Sequence, residues 1–328
     1  MGRDDQLRGT TAVKSHALCL TVLVTVAISI ATSLPAQAQR ARTFVSITGN
    51  DANPCTAGSP CKTFQRAHDT VLAGGEISVL DTGGYGTLVI NKAISIVAIG
   101  VEASIAIPSG GTGITINAGP SDRISLRGLT LDGGNPSLGT SGIVFNSGLS
   151  LKVADCSVSN MGLQGYGLQF LSNAKTVQKL AVSNSHFYDS AEGIMIGVLS
   201  SGSVLAAVDR TEFSNDGVGL NVDGSNGTGA LTVAVADSVV AASVSGVTVN
   251  TGTSSGIANV SLTRVLLEGN ETGIEVFGAQ SALWLGQSTL TGNMSEFSVQ
   301  NGSINSYGDN YAAANPTANG SLGTATKQ

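Results

Sequence analysis

A four-residue phrase, glycine, aliphatic, variable, then aliphatic or aromatic, returns about every 26 residues along most of this chain. It reads Gly113-Ile-Thr-Ile, Gly142-Ile-Val-Phe, Gly167-Leu-Gln-Phe, Gly193-Ile-Met-Ile, Gly219-Leu-Asn-Val, Gly246-Val-Thr-Val and Gly273-Ile-Glu-Val. Successive glycines lie 29, 25, 26, 26, 27 and 27 residues apart. A unit of that length cannot bury its own apolar face, so the period specifies stacked coils rather than a globule.

Each coil reads as three short strands. The first alternates with period 2, as in Leu231-Thr-Val-Ala-Val, which sets one row of side chains inside. The second supplies one apolar plug six residues before the glycine: Phe187, Phe213, Val240 and Leu267, with Leu290 in register although its glycine has become Glu296. The third strand is the glycine phrase. Roughly nine coils at about 4.8 Å each predict a rod on the order of 45 Å long. Asn160, Asn215, Asn270 and Asn293 follow the second strand and are expected as turn residues bonding the backbone or neighbouring coils.

The N-terminus reads as an export signal: Arg3, Arg8 and Lys14 precede an uncharged run from Ala17 to Ala31, and Ala36-Gln37-Ala38 predicts cleavage after Ala38. The rival, a membrane anchor, needs about 20 apolar residues, more than that run supplies. After residue 38 the chain keeps 13 basic and 20 acidic residues, a net charge of −7. That acidic balance excludes an electrostatic footprint for nucleic acid, and no membrane insertion is expected after cleavage. The expected location is secreted or periplasmic.

Cys55 and Cys61, in a Pro- and Gly-containing loop, read as a disulfide. Metal binding is the rival reading, with two thiols short of a four-ligand site. Cys156 falls where other coils carry Ser185, Thr211, Ser238 and Ser288, which predicts a small buried residue. Thr63 to Ala73 places Phe64, Ala67, His68, Val71 and Leu72 at helical spacing, with Gly74-Gly75 after it, and is expected to cap the open N-terminal end of the stack. The divisions are therefore a signal peptide over 1–38, an N-terminal segment with the helix over 39–74, the coils over 75–310 and a flexible tail over 311–328.

Thr43-Phe-Val-Ser-Ile-Thr-Gly-Asn-Asp-Ala-Asn-Pro-Cys, Ser59-Pro-Cys-Lys-Thr-Phe and Gly74-Gly-Glu-Ile-Ser-Val-Leu-Asp, together with the repeat, resemble exported right-handed parallel β-helix proteins of the pectate-lyase-like superfamily over roughly residues 43 to 310. The resemblance implies an all-β, single-stranded solenoid. It implies no activity, because the superfamily's catalytic signatures are missing: the sole Asp-Asp pair is Asp4-Asp5, there is no Gly-His-Gly, and Trp284 sits in Leu-Trp-Leu-Gly instead of Trp-Ile-Asp-His.

Aligned outward positions of the third strand gather Asn221, Asp223, Thr248, Asn250 and Glu275 into the densest polar patch, a candidate substrate-binding face for sugar hydroxyls. A second column, Asp155, Asn184, Arg210, Asp237, Arg264 and Gln287, precedes the second strand and suggests ion pairs between coils. No residue is assigned a catalytic or metal-binding role. The expected function is a polysaccharide- or surface-binding, or structural, protein needing no cofactor. The alternative is a divergent lyase or hydrolase of acidic glycans built on Asp223, Asp237, Glu275 and Arg264, with calcium only in the lyase case.

Overall fold

The computed structural model describes residues 40–134 and 140–327; the expected signal segment lies outside them. Twelve parallel strands form one sheet, beginning with Arg40–Val45, Val71–Val79, Ile94–Val97 and Arg123–Arg127, continuing through Ser150–Ala154, Gln178–Ser183, Val204–Asp209 and Ala230–Ala236, and ending with Ile257–Thr263, Ser281–Gly286, Ser303–Ser306 and Leu322–Thr324. Each pairs with its equivalent in the next coil, which is the arrangement of a parallel β-helix. The second and third strands of the coils make an 18-stranded sheet, joined because Ser157–Ser172 and His186–Val198 run through the corner between them.

The repeated glycine has a steric cause. A Cβ on Gly142, Gly167, Gly193, Gly219 or Gly246 would lie 2.5 to 2.8 Å from the carbonyl oxygen of the next coil's glycine, and one on Gly273 would meet the Glu296 carbonyl at 2.7 Å. The same Cβ would strike the second-strand plug: Phe187 beside Gly167, Phe213 beside Gly193, Val240 beside Gly219. Backbone and plug together leave no room for a side chain. Behind this column the plugs Phe187, Phe213, Val240, Leu267 and Leu290 stack in register, all 0 or 1% exposed. Phe187 and Phe213 lie 5.7 Å apart, ring to ring, and Phe145 and Phe170 on the third strand stack at 4.2 Å.

The helix is shorter than the sequence spacing indicates. It spans Phe64–Thr70 with Thr63 as N-cap, and Val71, extended, already pairs with Arg40. A β-branched residue that can complete a sheet ends the helix there. Phe64, Ala67 and His68 are buried. Burial lowers the pKa of His68, whose Nε2 accepts the Asn91 N–H at 3.4 Å. The adjoining disulfide joins Cys55 to Cys61, Cα to Cα 4.6 Å. At the other end, where a tail from 311 was expected, Tyr311–Ala313, Thr317–Asn319 and Leu322–Thr324 pair with the preceding coil.

Cys156 is buried and its Sγ approaches the Ala154 carbonyl at 3.2 Å, the same bond that Ser185, Thr211, Ser238 and Ser288 hydroxyls donate within their own coils. Burial pushes its thiol up to about 11, so it stays a thiol.

The turn after the second strand holds two polar columns. Asn160 and Asn215 take left-handed backbone (φ 59° and 56°) and bond Asp132 and Asp189 of neighbouring coils. One position on, Asn270 and Asn293 are buried in a ladder: the N–H groups of Ser190, Asp216, Ser243, Asn270 and Asn293 donate in turn to the side chains of Asp216, Ser243, Asn270, Asn293 and Asn315. The amides of Asn270 and Asn293 also donate to the plug carbonyls of the coils before them, Val240 and Leu267.

Asp216 is a carboxylic acid in this amide ladder. It is 3% exposed and its Oδ2 is buried without a partner. A Cβ on Gly193 would lie 2.8 Å from that Oδ2, as one on Gly246 would lie 3.3 Å from Asn270 Nδ2 and one on Gly273 3.4 Å from Asn293 Nδ2. Oδ2 therefore stands where Asn270 and Asn293 carry an amide nitrogen, and the neutral acid, able to donate, fits that place. Burial pushes the carboxyl up to about 8, opposed by the Ser190 N–H and reinforced by the Asp189 charge.

Two predictions follow from these columns. Gly219→Ala destabilises the protein by about 1–3 kcal/mol, whereas Glu296→Ala changes it by no more than about 0.5, as read from denaturant unfolding. Between the ordinary carboxylate range and about 8, folded Asp216 keeps a proton that the unfolded chain releases, so stability falls as pH rises through that window, by at most about 1.4 kcal/mol per pH unit. Asp216→Asn supplies an N–H in place of that proton; melting curves should show little change near about pH 4 and a gain of several degrees near about pH 9.

Candidate functional site

On the third-strand face the register places Asn221, Thr248 and Glu275 side by side on successive coils, and Asp223 beside Asn250. Asp223 and Glu275 thus occupy different columns. Most of these polar groups are satisfied internally. Glu275 Oε2 accepts from Ser245 Oγ at 2.8 Å and Thr248 Oγ1 at 3.4 Å, while Asp223 and Asn250 accept the N–H two residues on, closing their own turns. Asn221 Nδ2 donates to Glu192 Oε2 at 3.1 Å, and its Oδ1 is buried without a partner. Glu192 lies one residue before the repeated Gly193 and escaped the sequence reading; burial raises its pKa, and the Asp223 charge adds to the rise.

The second column is a turn. Asp155, Asn184, Arg210, Asp237, Arg264 and Gln287 all have φ between 46° and 55°. Arg264 forks onto Asp237 of the previous coil at 2.6 and 2.7 Å, the expected inter-coil pair. Arg210 instead pairs with its neighbour Asp209 at 2.6 Å, because that acid leaves the adjoining strand on the same side. Asp237 and Arg264 thus belong to the turn after the first strand, while Asp223 and Glu275 belong to the third strand. The register does not bring these four residues into one catalytic group. Among the described residues no three His, Cys, Asp or Glu side chains converge as a metal site.

The outer face of the 12-stranded sheet is chemically different. Its outward positions on Arg123–Arg127, Ser150–Ala154 and Gln178–Ser183 carry Arg123, Arg127, Lys152 and Lys179 and no acid. Arg127 pairs with Asp155 at 2.6 Å; Arg123, Lys152 and Lys179 enter no ion pair among the described residues. These three line a groove of about 500 Å³ whose floor continues over Ala181, Ala207 and Ala234. A second hollow of about 750 Å³ adjoins it, edged by Arg42, Arg127, Lys152 and Arg210 with Glu76 and Asp155. In an acidic chain, three unpaired cations beside an alanine column and the exposed Leu205 make an anion-attracting surface. Aligning the alternating first strands would have exposed this cluster, but alternation alone does not say which coils put their charges together.

No family model matches the sequence, and no curated protein matches it. Solved structures do resemble the fold. Pectate lyase Pel9A superposes with a TM-score of 0.50 at 13% identity, over 85% of this chain and 78% of that one. A rhamnogalacturonan lyase gives 0.46 at 11% identity, over 76% and 74%. The lacto-N-biosidase of family GH136 from Eubacterium ramulus gives 0.37 at 11% identity, over 87% and 68%. The chain has the pectate-lyase-like parallel β-helix fold.

Proposed function

We propose that this protein is an exported β-helix that binds an acidic polysaccharide along the outer face of its 12-stranded sheet. The observation that carries the reading is the row of Arg123, Lys152 and Lys179, unpaired with acids and set over an alanine floor. Strands of a parallel sheet repeat every 4.8 Å or so, which presents charges to a linear polyanion at regular intervals. The Cys55–Cys61 disulfide supports an oxidising compartment. No helix among the described residues is long and apolar enough to cross a membrane. Asn221, Asp223, Thr248, Asn250 and Glu275 take a lesser part, since their polar groups largely bind one another and the local backbone. The reading needs neither calcium nor another cofactor.

Polygalacturonate and alginate should bind the purified protein, and a neutral glucan should not. Replacing Arg123, Lys152 and Lys179 together by Gln should weaken uronate binding at least about tenfold and flatten its salt dependence. Replacing Asn221 by Ala and Glu275 by Gln should leave it within about threefold. Calorimetric titration at two salt concentrations reads both effects; uronate binding that ignores the triple replacement overturns the reading. The same mixtures with calcium, followed by ultraviolet absorbance, detect the unsaturated product of a lyase.

A further inference from the structure

The C-terminal end of the same sheet face carries the chain's single tryptophan. Trp284 stands on the outward side of Ser281–Gly286, in the column that runs Lys152, Ala181, Ala207, Ala234, Ser261, Trp284 and Asn305 on successive coils. Five coil steps separate Lys152 from Trp284, about 24 Å. The ring is half-buried, and its neighbours up the column are small. It faces a hollow of about 850 Å³.

Tyr307, 37% exposed, lines the same hollow. Gly286, two residues beyond Trp284 on the same outward side, lies against Tyr307; a Cβ there would stand 3.0 Å from the Tyr307 ring. The missing side chain lets the Tyr307 ring lie close over the strand beside Trp284. Polar groups edge the hollow: the side chains of Gln287, Asn305 and Asp309. The Asp309 carboxylate is fixed by the Gln287 N–H at 3.0 Å and by Lys327 at 2.8 Å, which also cancels its charge. Apolar planar walls with a neutral, hydrogen-bonding rim match a pyranose ring, which presents C–H groups on its faces and hydroxyls around its edge.

We infer that Trp284 and Tyr307, lining one hollow, form a pyranose-stacking subsite at the C-terminal end of the sheet face, so that a bound glycan is held by charge near Lys152 and by ring stacking near Trp284. The inference rests on the polysaccharide reading above for the direction of the chain, and on the geometry of this hollow for the sugar itself. The two ends divide the work: the cations draw in an acidic chain, and the aromatic pair adds a stacking contact to the chain they hold.

The lone tryptophan makes the test direct, because all indole emission comes from the proposed subsite. Titrant oligogalacturonate and a neutral gluco-oligosaccharide, each long enough to span about 24 Å, are added to the purified protein and followed by emission and by calorimetry. Saturable change in Trp284 emission is expected with the oligogalacturonate. Trp284→Ala should weaken binding about tenfold, Trp284→Phe should stay within about threefold, and Gly286→Val, which displaces the Tyr307 ring, should weaken it as Trp284→Ala does. Circular dichroism and melting of each variant confirm an intact coil stack. Oligogalacturonate binding with unchanged emission and unchanged affinity in Trp284→Ala overturns the subsite and leaves the acidic-polysaccharide reading standing. Emission change with the neutral oligosaccharide, unaffected by replacing Arg123, Lys152 and Lys179, upholds the subsite and overturns that reading. No binding of either sugar by the wild-type protein overturns both.

Discussion

The structure depends on a close approach. At one corner of five successive coils the backbone of the third strand passes so near the plug behind it and the carbonyl above it that only glycine fits, at Gly142, Gly167, Gly193, Gly219 and Gly246 alike. That approach sets the register of everything else. It fixes where Phe187, Phe213, Val240, Leu267 and Leu290 stack, and hence which side chains point inward on all three strands. Glu296 takes the place of glycine in the coil after Gly273, where the next strand, Thr317–Asn319, pairs through an irregular register.

Turns between strands bury backbone N–H groups that no strand partner reaches, and the chain satisfies them with side chains one coil on. Ser190, Asp216, Ser243, Asn270 and Asn293 form such a run, and Cys156, Thr211 and Val265 draw on Ser185, Ser238 and Ser288 in another. Amide, hydroxyl and acid all serve in these places because each offers an acceptor. They differ in what they do with the remaining atom. An amide donates to a plug carbonyl, a hydroxyl returns to its own strand, and the acid at Asp216 matches its neighbours only while it holds a proton.

Chemistry is divided among the faces by how far each one satisfies itself. On the third-strand face Asn221 bonds Glu192, and Glu275 holds Ser245 and Thr248, so polar groups are spent on one another. The turn column is occupied by backbone geometry and by the Arg264–Asp237 pair. On the 12-stranded sheet the alanine floor offers Lys152 and Lys179 nothing to bond, which leaves their charge for a ligand. Trp284 and Tyr307 repeat that logic with apolar surface at the far end.

The period of the glycines, the alternation of the first strands and the plug six residues before each glycine determined the parallel coil stack from the sequence alone, because a steric requirement repeated in every coil leaves a mark in every coil. Cys55 with Cys61 and the buried place of Cys156 were legible for the same reason, each being local or aligned with its equivalents. What the tertiary structure decided has no such period. The helix stops at Thr70 because Val71 finds a strand partner in Arg40, 31 residues earlier in the chain. The strands from Tyr311 to Thr324 form because the coil before them offers an edge. Asp216 reads as an ordinary acid until its neighbours show it in an amide's place. Arg123, Lys152 and Lys179, and the hollow that Trp284 and Tyr307 share, arise once in the chain, from which coils happen to adjoin, and only the stacked register brings such singular residues together.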